Sequence, residues 1–229
     1  MTKYLVVPAF IAMILSITSC ERFVEVILDD DTVCGEDVNT GYQPVSNEAY
    51  AMMPQLSQNT RFVYTNAAGE EMVLICSEKR EQKNVVQYKT LCYNASYHTT
   101  QYEYCEAQNV EYIFKNTEKG AEIRYNWYID HSGEMLYNAF STYIYMGTLT
   151  GGSNTWVADD LGNELPVMAG MNESAHPVGD TTILGHSFHD VTYYNWGVHA
   201  GKGFYFEKGK GVVALQANKE VLWVLDRVE

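Results

Sequence analysis

The chain has 229 residues, 29 of them acidic and 15 basic, for a net charge of −14. So acidic a body repels nucleic acid and anionic membrane surfaces, which are bound through Lys and Arg clusters, and neither is an expected partner. The length suits one domain or two small ones, and 18 tyrosines among few helix-forming runs direct the expectation to β structure.

The first segment reads as a targeting signal. Lys3 supplies a short positive start, and 4–17 is an apolar run broken only by Pro8 and Ser16. The run is shorter than the roughly 20 residues a spanning helix needs. Ile17-Thr18-Ser19-Cys20 follows, an aliphatic residue, two small residues and a cysteine. It resembles the lipobox of bacterial lipoproteins, which implies acylation of Cys20 and cleavage before it. Residues 1–19 are then a signal peptide. The acyl chains, each buried CH₂ worth about 0.8 kcal/mol, anchor the remainder to a membrane.

Residues 20–58 read as an acidic tether, with Pro44 and Pro54 interrupting any longer element. An antiparallel β domain is expected over 59–229. Strands are expected at 61–66 and 71–78, joined through Asn66 and Gly69, and at 122–130 and 135–146, joined through Asp130 and Gly133. The two turn sequences are near copies, and the same type I turn with a left-handed glycine is expected twice. Along 121–130, Ala121, Ile123, Tyr125, Trp127 and Ile129 alternate with polar residues, as in a half-buried strand. On the next strand Leu136, Phe140, Ile144 and Met146 share one face; Met135, Tyr137, Ala139, Tyr143 and Tyr145 share the other. The tyrosine face, Tyr137, Tyr143 and Tyr145 above all, is expected to border a packed second layer or a cavity for an apolar ligand. Further strands are expected at 85–93, 101–105, 110–115, 155–158, 181–184, 190–194, 203–208, 211–216 and 221–225. Close spacing without long helices argues for an antiparallel sandwich or a half-open barrel.

Four cysteines follow Cys20. Outside the cytoplasm an even number is consistent with two disulfides. Cys92–Cys105, across a hairpin closed by Asn94 and Thr99, is the favoured pair, leaving Cys34–Cys76. The equal alternative is four buried thiols. No CxxC spacing suggests a metal site.

Near the C-terminus, Phe188-His189-Asp190-Val191 precedes the aromatic run 203–206, then Lys208-Gly209-Lys210-Gly211 and a closing strand through Trp223. Together with the lipobox, this resembles Bacteroidota-type envelope lipoproteins of unknown function. The resemblance implies a secreted β domain and names no activity.

Catalytic signals are absent. His186 and His189 lie three apart on a strand, hence on opposite faces, which disfavours chelation; His199 is nearby. Gly185-His186-Ser187-Phe188-His189 begins like a nucleophile elbow but lacks the closing glycine. Neither a metal nor a cofactor is expected. The expectation is a non-catalytic, lipid-anchored protein of the cell envelope, at the outer membrane, that contacts another envelope protein or a glycan. The alternatives are a half-open barrel carrying an apolar ligand and an envelope hydrolase with a dispersed site.

Overall fold

Strand-forming segments dominate the computed structural model, which describes residues 34–146, 153–158, 164–169, 173–196, 203–216 and 222–229. Among these are a one-turn helix, α1 (Asn47–Tyr50), and thirteen strands: β1 (Val38–Gln43), β2 (Arg61–Asn66), β3 (Glu71–Asn94), β4 (Thr99–Asn116), β5 (Ala121–Ser132), β6 (Met135–Met146), β7 (Ser153–Ala158), β8 (Glu164–Ala169), β9 (Glu173–Ile183), β10 (His186–Trp196), β11 (Gly203–Glu207), β12 (Gly211–Gln216) and β13 (Leu222–Val228). The protein is all-β and antiparallel. Two units divide the chain: 1–38 with 89–103, and 39–88 with 104–229.

The larger unit curls into a half-barrel. Its strands form two meanders, β2 to β8 and β9 to β13, and β13 pairs with β2 to join them, so the open edges of the sheet order fall on β8 and β9. Pro166 lies in β8 and Pro177 in β9. Proline cannot donate to a ladder, so both sit where a missing N–H costs least and where further strand addition is discouraged.

The alternation expected along β5 is present, with every residue of the Ala121-to-Ile129 row buried and the intervening ones half-exposed. That row faces inward with Phe62, Phe114, Phe140 and Phe206, and their rings pack at centroid separations of 4.8–6.1 Å. Tyr64 and Tyr125 bring hydroxyls into this core, where β12 departs from regular pairing with β11. The Tyr64 hydroxyl donates to the Val212 carbonyl at 2.7 Å, and the Val212 N–H donates to the Tyr125 oxygen at 3.2 Å. Backbone groups that would be orphaned are thereby satisfied. Burial pushes both phenols well above the usual tyrosine range, so both stay protonated.

Residues 38–58 are not a tether. β1 pairs with β4, and Val45, Ala49, Met52 and Met53 are buried in the same core. Ser46 caps α1 by accepting the Ala49 N–H at 3.2 Å. Polar contacts then hold the segment on the inner face: Trp127 Nε1 donates to the Ala49 carbonyl at 2.9 Å, and the Gly209 N–H donates to the Met52 carbonyl at 2.9 Å. Opposite Met53 lies Gly211, at φ +86°, where an added Cβ would meet the Met53 side chain at 2.5 Å. A glycine is required there on both counts. Sequence composition missed this because four apolar side chains spread between prolines carry no periodicity. The earlier part of the expected tether, and the signal peptide with Cys20, lie outside the described residues.

Two further expectations are corrected. The separate strands at 71–78 and 85–93 are one continuous β3, and those at 101–105 and 110–115 are one β4. The intervening 79–84 is polar, with Asn84 its one turn-forming residue type, but no turn forms there. It is tied across the ladder instead, by Arg80–Glu111 at 3.2 Å, Lys83–Glu106 at 2.9 Å and Gln108–Glu81 at 2.8 Å. The two near-identical turns also differ. Asn66 Oδ1 accepts the N–H groups of Ala68 and Glu70, holding a four-residue loop. Between β5 and β6, Ser132 pairs directly with Met135, leaving a two-residue turn that opens on left-handed Gly133.

In the smaller unit, described at 34–38 and 89–103, the cysteine pairing is corrected as well. Cys34 is bonded to Cys92, with Cα atoms 5.6 Å apart. Cys92–Cys105 and Cys34–Cys76 do not form, and Cys76 and Cys105 are buried thiols, which desolvation holds above the usual thiol pKa. The hairpin does close between Asn94 and Thr99, but Cys92 lies two residues from that end and Cys105 six. What reaches Cys92 is the chain after Cys34. Gln101 Nε2 donates to the Glu36 carbonyl at 2.7 Å, and the Tyr102 N–H donates to Asp37 Oδ1 at 2.8 Å.

Candidate functional site

Two places in the larger unit gather chemistry-bearing side chains, and both involve residues singled out in the sequence. The first is the outer face of β5 and β6. The unbroken β5–β6 register carries Tyr137, Tyr143 and Tyr145 to one face, opposite Asp130, Arg124 and Glu122. The residues of β6 with the other parity, Phe140, Thr142 and Ile144, are buried inside. Among the described residues the tyrosine row is thus the more exposed face of β6. Tyr143 and Tyr145 are 38% and 40% exposed on the convex side, and Tyr137 is half-buried. The sense of curl decides this: Trp127 and Tyr125 claim the inner face of β5, and register takes Phe140 with them.

The tyrosines stand at the margin of an ion-pair ladder. Arg80 pairs with Glu78 at 2.7 Å and with Glu111 at 3.2 Å; Arg124 approaches Glu111 at 4.0 Å and hydrogen-bonds Glu122, which Lys115 meets at 3.3 Å. The Arg124 guanidinium also lies 5.4 Å from the centre of the Tyr143 ring. A cation over one face fixes the ring and costs little entropy on binding, a favourable setting for aromatic recognition. Burial alone would raise the Glu122 carboxyl, but hydrogen bonds from Arg124 and Lys115 outweigh it and hold the group below the usual glutamate range. A carboxylate with a lowered folded pKa contributes stability above its unfolded pKa of about 4.3, and that contribution is lost as pH falls through the folded value. Acid titration should therefore show stability falling below about pH 4.3, and Glu122→Gln should flatten that part of the profile. An unchanged profile in the variant would exclude the ladder as its source.

The second place is a cleft of about 340 Å³ where the start of β10, the β11–β12 turn, the end of β13 and the loop after α1 meet; Pro54, His186, Phe188, Lys210, Asp226 and Arg227 line it. Its charges are matched internally. Lys210 pairs with Glu207 at 2.9 Å, and Arg227 with Asp226 at 2.6 Å and Glu229 at 2.7 Å. His186 Nε2 is 4.0 Å from Asp226 Oδ1, while the Ser187 hydroxyl oxygen lies 3.5 Å from that of Thr182. The serine and histidine of the elbow-like sequence thus have different neighbours. His189 is exposed and meets Asp180 at 3.4 Å, within an irregularity between Phe188 and Val191 where Asp190 adopts φ +47°. Among the described residues no three metal-ligating side chains converge. His199 lies outside them.

No protein-family model, curated protein or solved structure matches the chain.

Proposed function

We propose that this is a lipid-anchored protein of the cell envelope, at the outer membrane, that works by binding rather than catalysis and contacts another envelope protein or a glycan. The observation that carries the binding assignment is the exposed Tyr143–Tyr145 row, with the Arg124 guanidinium over the Tyr143 ring. The lipobox-like sequence ending at Cys20 supports the anchor, and a disulfide between Cys34 and Cys92 is compatible with an oxidising compartment. A carrier role for the concave face has less support, since aromatic side chains and residues 45–53 already occupy it.

The test places a photocrosslinking phenylalanine analogue at position 143 or 145 in living cells, with exposed Val85 as the control position. A discrete protein adduct from 143 and 145 but not from 85 is expected for a protein partner. For a glycan, the expected result is retention of the purified protein on insoluble cell-wall polysaccharide, weakened at least tenfold in the Tyr143→Ala, Tyr145→Ala double variant. Absence of both the adduct and the retention would overturn the binding assignment.

A further inference from the structure

The smaller unit carries an apolar surface of its own. Leu91, Tyr93 and Tyr97 are exposed, the two tyrosines at 67% and 61%, around the turn that joins β3 to β4. Cys92 and Gln101 both reach the segment 34–37, one through the disulfide and the other through the Glu36 carbonyl. Side chains of a strand alternate between its faces, so Leu91 and Tyr93 point the other way, and Tyr102 on β4 joins them. One face of the hairpin end is thus covered and covalently stapled, while the opposite face is left aromatic. The turn itself is ordered, with Asn94 Oδ1 accepting the Tyr97 N–H at 3.1 Å.

The covering segment also says what this surface meets. About fourteen residues separate Cys20 from Cys34, at most about 50 Å when fully extended. The anchor therefore enters the described fold at the stapled hairpin end. If Cys20 is acylated, this end is leashed to the membrane. Tyrosine is the residue type that settles at a membrane–water boundary, with an apolar ring and a polar tip. Lys89 is the only Lys or Arg within 89–103, so attraction to anionic lipid has no part in the contact.

We propose that the disulfide-stapled end of the β3–β4 hairpin rests on the lipid surface, with Tyr93 and Tyr97 at the headgroup level and Leu91 beneath them, as a second contact beside the Cys20 anchor. The proposal rests on the anchor reading above and adds to it a seat for the hairpin.

The experiment uses the full-length processed protein in phosphatidylcholine vesicles with brominated acyl chains. Tyr97→Trp is compared with the parent, whose four tryptophans set the baseline. The added tryptophan should be quenched about twofold relative to unbrominated vesicles, equally at low and high salt. In the Leu91→Ser, Tyr93→Ser background that quenching should disappear. Intact mass reports acylation on the same samples. An acylated protein whose added tryptophan is unquenched would overturn the seating proposal alone. An unacylated protein would overturn the anchor reading and, with it, the leash on which this proposal depends.

Discussion

Replacing Trp223 by alanine should lower the melting temperature by roughly 10 °C or abolish soluble expression. Trp223 is buried on β13, the strand that pairs with β12 on one side and with β2 on the other and so joins the two runs of strands in the sheet. Removing a buried tryptophan costs about 3–5 kcal/mol, a large share of the 5–15 kcal/mol that holds a domain together. Lys119 lies 4.9 Å from the ring centre and would lose that contact too. A chain ended at Gly209 should do worse, because β12 and β13 leave and the β2 edge is bared. Thermal unfolding followed by circular dichroism is the measurement. Melting of the shortened chain at the full-length temperature would show the closing strand to be an appendage.

The second large effect is expected at Met52. A solvated tether would tolerate Met52→Ala without any change in stability. In the fold, Met52 is 2% exposed, on the segment that lies across the inner face of the sheet. Its truncation should cost about 2–5 kcal/mol, and Gln55→Ala, on the exposed side of the same loop, should cost about 0.5 kcal/mol or less. Denaturant titration of the two variants decides the matter. Equal midpoints would return residues 44–58 to the status of a linker.

Much of the strand inventory was readable because it depends on local patterns. The alternation along β5 and the glycine corners at 69 and 133 each follow from period-two side-chain direction or from a backbone angle that glycine adopts freely. Where the pattern was silent, the expectation failed. Residues 79–84 carry no strand signal because their partners, Glu106, Gln108 and Glu111, are supplied by another strand. The tyrosines of β6 were recognised as one face, but which face it would be was not written in β6.

The amino-acid sequence by itself determined that this chain makes antiparallel strands with glycine corners and a closing strand through Trp223, since period and turn chemistry act over a few residues. Tertiary structure decided three other things. The direction of curl turned Tyr143 and Tyr145 to solvent, since the large rings of Tyr125 and Trp127 can be buried on one side only. Contact between segments distant in sequence chose Cys34 over Cys105 as the partner of Cys92, because a disulfide needs Cα atoms within about 7 Å and the chain path alone sets that distance. The concavity left by the curl drew Val45, Ala49, Met52 and Met53 out of an apparent linker and into the core, where apolar surface is most completely removed from water.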